Sequence, residues 1–196
     1  MIIEDRSPFY IKFHHAGADE IINECLKFSS AFDNRKTFTH FRLPASTSET
    51  ILKNMPWHKD LNINKNRISL FITPPGYYYT AHKDAMEMQA GINYAVMIKD
   101  TLCKTSWYND STFKHYGIET RGGISRDVVD FKKENHIPDE TMIFQQGEVV
   151  LFNTDMFHDV DNLISSNTRV ILTLRSKDPQ NWSFEKYKKI LFSEIN

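Results

Sequence analysis

About eight short segments of this chain have the β-branched, aromatic and alternating character of strands, while helical patterns occur only before and after them. Ile68–Thr73 ends at Pro74-Pro75-Gly76, and the aromatic run Tyr77-Tyr78-Tyr79-Thr80 follows. Gly91–Ile98, Thr105–Tyr108, Thr141–Phe144, Gly147–Asn153 and Arg169–Arg175 continue the series. Short strands in succession must face a second sheet, or close on themselves, to hide their apolar sides. The pattern predicts a mainly β fold with flanking helices: a double-stranded β-helix of jelly-roll, cupin-like type, with the helices against its larger sheet.

Caps and spacing mark the helices. Asp19 is placed to cap a helix carrying Ile21, Ile22, Cys25, Leu26 and Phe32 largely on one face. Ser46 and Glu49 have capping-box spacing ahead of Ile51, Leu52 and Met55, and Pro56 stops that helix. A third helix spans about Trp182 to Ile195, with Phe184, Tyr187 and Leu191 at helical spacing and Lys186, Lys188 and Lys189 turned outward. With 196 residues, 40% of them hydrophobic, and no repeat or linker-like segment, the expectation is one domain over 1–196. It divides into helical support over about 1–60, a jelly-roll core over about 66–176 and a C-terminal helix over about 180–195.

Chemistry concentrates in His82-Lys83-Asp84, His158 and Arg169. Alternate side chains of a strand share a face, so His82 and Asp84 project the same way, and His158 follows the apolar strand Gly147–Asn153. Two imidazoles and one carboxylate form a facial triad that can hold a divalent iron and leave positions open. The same three letters recur at His58-Lys59-Asp60, but in a polar, loop-like stretch that argues against ligation. Arg169 shares a strand face with Ile171, Thr173 and Arg175, and a guanidinium there is costly to bury unless it meets an anion such as a carboxylate. Taken alone, it reads better as a rim arginine paired with a surface acid; together with the three candidate ligands it does not.

These residues resemble the iron(II)- and 2-oxoglutarate-dependent dioxygenase superfamily, whose pattern is His-x-Asp, a distant His and a following Arg or Lys. Thr73–Asp84 and Gly147–Arg169 carry the resemblance, with Glu148, Val149 and Asn162 also similar to the small prolyl-hydroxylase-like and aspartyl-hydroxylase-like branches. It covers about residues 68 to 175. Related branches place an arginine shortly after the aspartate, where this chain has Ala85-Met86-Glu87-Met88-Gln89. Asp84 itself stands where related halogenases carry a small residue, so the resemblance implies hydroxylation or a similar oxidation. It further implies Fe(II) on His82, Asp84 and His158 as the catalytic centre, 2-oxoglutarate anchored by Arg169, dioxygen as co-reactant, and succinate and carbon dioxide as products. Asn93, Tyr78 (in phase with His82 by alternation) and Thr173 (in phase with Arg169) are the further cosubstrate candidates. A small molecule or an amino-acid or peptidyl side chain is the expected substrate.

Residues 109–140 form a polar stretch with little strand or helix pattern, read either as a substrate-covering lid or specificity loop or as a mere surface excursion. Trp107 either lines the pocket or fills core. His14, His15, His40, His115 and His136 lack ligand-like spacing, and Cys25 and Cys103 read as buried thiols. A net charge of −1 gives no electrostatic sign of a nucleic-acid partner, and no apolar run approaches membrane-spanning length. With no leader-like N-terminus, the expected location is the cytoplasm. The sequence does not speak to oligomeric state. Two other readings stay beside the oxygenase: a non-oxygenase metal cupin such as an isomerase, and a catalytically idle jelly-roll binding protein.

Overall fold

The structure is a computed structural model that describes residues 1–32, 35–84, 89–113, 116–121, 124–129, 131–178 and 181–192. The described residues form two antiparallel sheets. The larger comprises β1 (Ile2–Arg6), β2 (Tyr10–Phe13), β11 (Val149–Asn153), β6 (Ala90–Met97), β13 (Arg169–Leu174), β4 (Ser69–Thr73) and β3 (Thr39–Arg42), in that spatial order. The smaller runs β10 (Glu140–Ile143), β7 (Lys104–Tyr108), β12 (Phe157–Asn162), β5 (Tyr77–His82), β9 (Ile124–Val129) and β8 (Tyr116–Arg121). Their crossing connections are those of a double-stranded β-helix.

The inner strands β11, β6 and β13 of the larger sheet are buried on both sides, and alternation decides which residue serves which core. Ile92, Tyr94 and Val96 of β6 and Val170, Leu172 and Leu174 of β13 join Ile11, Leu70 and Leu151 beneath the helices α1 (Ala18–Leu26), α2 (Ala45–Lys53) and α3 (Phe184–Phe192). Ala95 and Ile171 face the other way, into a core between the sheets with Val150, Phe152 and Trp107. Trp107 is fully buried and its Nε1 donates to the Asn153 carbonyl, so it fills core.

The helices start differently from the capping expectation. α1 begins after Gly17 at φ 90°, leaving Asp19 in its first turn, and α2 begins at Ala45 after Pro44, so Ser46 caps nothing. Gly17 supplies a left-handed conformation unfavourable to any residue with a Cβ, and Pro44 is preset for entry, so backbone rather than side chain opens each helix.

Under α1, His15 is pinned neutral. Its Nδ1 donates to the Ala16 carbonyl at 2.6 Å, leaving Nε2 to accept from the buried Tyr94 hydroxyl at 2.9 Å, and burial lowers its pKa. A histidine whose folded pKa is depressed contributes stability that is complete above the unfolded value near 6.5 and is lost as pH falls through the folded value. Between pH 7.5 and 5.5 the urea midpoint should fall more in wild type than in the non-titrating His15→Gln. Equal pH dependence in the two proteins would remove His15 as the cause.

Residues 109–140 contain regular structure where little was expected. The hairpin β8–β9 extends the smaller sheet, and its Val128 lies opposite His82 of β5. Polar edge strands lack the alternation that reveals buried ones. Gly122 at the turn lies outside the described residues. The segment is tied down behind the sheet, where Phe113, Val129 and Phe131 pack with Tyr108 and Phe157.

Candidate functional site

The pairing of β5 with β12 sets His158 opposite His82, with ring centroids 4.5 Å apart. Asp84 follows the end of β5, where its amide donates to the Thr154 carbonyl at 3.2 Å. The potential ligand atoms of His82, Asp84 and His158 all lie within 4.8 Å of one another. Both rings are aimed by their own strands: Nδ1 of His82 donates to the Thr80 carbonyl (2.8 Å) and Nδ1 of His158 to the Met156 carbonyl (3.0 Å). Each bond leaves Nε2 as the free lone pair.

The electrostatics suit a cation. Burial, reinforced by the neighbouring His82, pushes the His158 imidazole down to about 3, so it is neutral and able to ligate. Burial alone would raise the Asp84 carboxyl, but the close approach of His82 and the charge of Arg175 outweigh it and hold the group well below the usual carboxylate range. Arg175 Nη2 donates to Asp84 Oδ2 at 2.8 Å from the inner face of the larger sheet. Gly91 makes that contact possible: a Cβ there would lie 1.3 Å from Arg175 Nη1. Two imidazoles with Nε2 turned away from the backbone and an ionised carboxylate form a donor set that fits a divalent transition metal.

Deeper between the sheets lies Arg169, 6% exposed. Its Nη2 donates to Thr105 Oγ1 at 3.2 Å, its Cζ sits 5.0 Å from the centre of the Phe144 ring, and its Nε has no partner. Among the described residues no carboxylate pairs with it, which disposes of the rim ion-pair reading. Four residues further along the same face of β13, Thr173 is paired in register with Asn93 on one side and Ser69 on the other. Thr173 Oγ1, Asn93 Oδ1 and Ser69 Oγ are all buried without a hydrogen-bond partner. Each such atom costs about 1–3 kcal/mol if left unmatched, so the band has the character of a surface built for a polar ligand.

Tyr78 is elsewhere. Strict alternation predicts it on the His82 side, but a β-bulge between His158 and Val160 pairs Val160 with Tyr79 and shifts the phase by one residue. Tyr79 therefore meets His82 edge-on, with ring centroids 4.3 Å apart. Tyr78 lies on the opposite face, where its hydroxyl and that of Tyr108 donate to the fully buried Asp159 carboxylate at 2.8 and 2.9 Å. Its place is structural support behind β12, which corrects the cosubstrate assignment.

The remaining candidates sort cleanly. His58 hydrogen-bonds the Met55 carbonyl and is not in the ligand cluster. Asn162 spends its amide on the carbonyls of Pro74 and Asn167, fixing turns. Residues 85–88, where related branches carry an arginine, and His115 lie outside the described residues. Sequence reasoning gave Arg175, Gly91 and Ser69 no role. The only hint of Arg175 was a second arginine on the Arg169 face.

No protein-family model matches this chain, and no curated protein matches it. Solved structures do. An oxidoreductase of the 2OG-Fe(II) oxygenase family from Burkholderia pseudomallei aligns over 86% of this chain and 84% of its own, with a TM-score of 0.53 and 11% identity. HygX from Streptomyces hygroscopicus, solved with nickel and 2-oxoglutarate bound, aligns over 84% and 81% at a TM-score of 0.49 and 8% identity. Oxalate decarboxylase from Bacillus subtilis aligns over 73% of this chain at a TM-score of 0.38 and 15% identity, and the chain spans only 26% of that protein's length. At these identities the first likeness establishes the jelly-roll fold. No helix among the described residues is long and apolar enough to cross a membrane.

Proposed function

We propose that the protein is an iron(II)- and 2-oxoglutarate-dependent oxygenase that hydroxylates an amino-acid or peptidyl side chain, releasing succinate and carbon dioxide. The observation that carries this reading is Arg169: a buried guanidinium without an acid, on the inner face of the sheet that faces the His82, Asp84 and His158 cluster. Iron held by these three residues would supply the activation of dioxygen and the oxidative decarboxylation of the 2-oxo acid. His82 and His158 would bind through Nε2, their Nδ1 protons being committed to the backbone. Asp84, kept ionised by Arg175, would complete the set with one oxygen while the other stays with the guanidinium. Arg169 would pair with the distal carboxylate of the cosubstrate, and the Thr173 and Ser69 hydroxyls and the Asn93 amide would meet its remaining polar atoms. Phe144 covers the guanidinium and strengthens that pairing by excluding water. A metal cupin of isomerase type has no evident use for Arg169.

Anaerobic titration with iron(II) and 2-oxoglutarate tests the reading through the visible metal-to-ligand charge-transfer band. Wild type and His58→Ala should show the band and His82→Ala should not. A wild type without a band would refute the oxygenase assignment.

A further inference from the structure

Phe38, Phe71, Tyr77 and Tyr79 are half-buried and belong to none of the hydrophobic clusters that hold the sheets and helices together. They stand together on the inner side of β3, β4 and β5. Phe38 stacks on Tyr79 with centroids 5.0 Å apart and planes 4° from parallel, and on Tyr77 at 6.3 Å and 24°. Phe71 closes the group behind Phe38 at 5.6 Å, and His40 meets Phe71 at 5.1 Å. At its inner end the stack reaches the candidate centre, because Tyr79 lies 4.3 Å from the ring of His82.

Partly exposed rings outside those clusters, with Phe38, Tyr77 and Tyr79 within 27° of parallel and Tyr79 against His82, form a platform rather than packing. Such a platform gains most from a flat π-system, because an offset ring adds dispersion and quadrupole attraction over its whole face, whereas an aliphatic chain meets only part of it. We propose that this stack recognises the substrate, and that the substrate carries a flat unsaturated ring lying against Phe38 and the two tyrosines while its reacting atom points toward His82. The proposal rests on the oxygenase reading of the same site and narrows its substrate to ring-bearing molecules. The ring of an aromatic amino acid and that of a nucleobase share this chemistry.

Calorimetric titration of the iron(II)-loaded protein with two matched pairs separates these sources: N-acetyltryptophanamide against N-acetylleucinamide, and adenosine 5′-monophosphate against ribose 5-phosphate. In at least one pair the ring compound should bind about tenfold or more tighter than its ringless counterpart. Phe38→Leu should remove most of that preference and Phe38→Tyr should keep it, both with an unchanged charge-transfer band. Equal affinity within both pairs, no binding by either ring compound, or a preference indifferent to Phe38→Leu would overturn the proposal. Loss of the oxygenase reading shows separately, as a wild type without the band whose ring preference persists.

Discussion

Replacing Arg169 by alanine should weaken 2-oxoglutarate binding by about 10²- to 10³-fold while iron(II) affinity changes little. The guanidinium is buried, has no acid of its own, and is the one unpaired cation on the inner face among the described residues. Removing one partner of a buried charge pair costs about 2–5 kcal/mol, because the stranded carboxylate of the ligand then has neither water nor a counter-charge. Lysine should recover only part of the loss: it restores the charge but not the planar fork or the contact with Phe144. Titrating the charge-transfer band against 2-oxoglutarate measures this directly. An Arg169→Ala variant with wild-type affinity would mean that the cosubstrate, if there is one, lies elsewhere.

Gly91→Ala should be nearly as damaging, although Gly91 touches no proposed ligand. The new Cβ would fall 1.3 Å from Arg175 Nη1 and 2.4 Å from its Cζ, so the guanidinium must leave Asp84. Loss of the residue that orients a metal-bound carboxylate typically lowers metal affinity by about 10- to 100-fold. A double-mutant cycle isolates the cause. Once Arg175→Ala has removed the guanidinium, adding Gly91→Ala should cost little more, giving coupling of about 1–3 kcal/mol in iron(II) affinity. Additive effects would place the damage in the β6 backbone instead.

Much of this could be read from the chain, for reasons that differ by position. Arg169, Ile171, Thr173 and Arg175 share a face as alternation predicts, because β13 is buried between two cores and any slip would expose the wrong set. Asn93 and Thr173 reach the inner face by the same logic. Tyr78 does not, since one extra residue within β5, between Tyr79 and His82, reverses the phase and no local signal announces it. The hairpin β8–β9 escaped notice because its strands are polar and sit at a sheet edge. The helix starts departed from Asp19 and Ser46 because Gly17 and Pro44 do the work through the main chain. The contact of Arg175 with Asp84 bridges distant parts of the sequence, and nothing in either segment refers to the other.

The two imidazoles of the candidate centre are aimed by the carbonyls of Thr80 and Met156, atoms that every amino acid possesses. Point substitution at either position changes the side chain but leaves the acceptor where it was. The aim of the site is therefore inherited with the strand geometry, and the alphabet is free to drift around it. A centre aimed in this way depends on the path of two strands more than on the side chains along them.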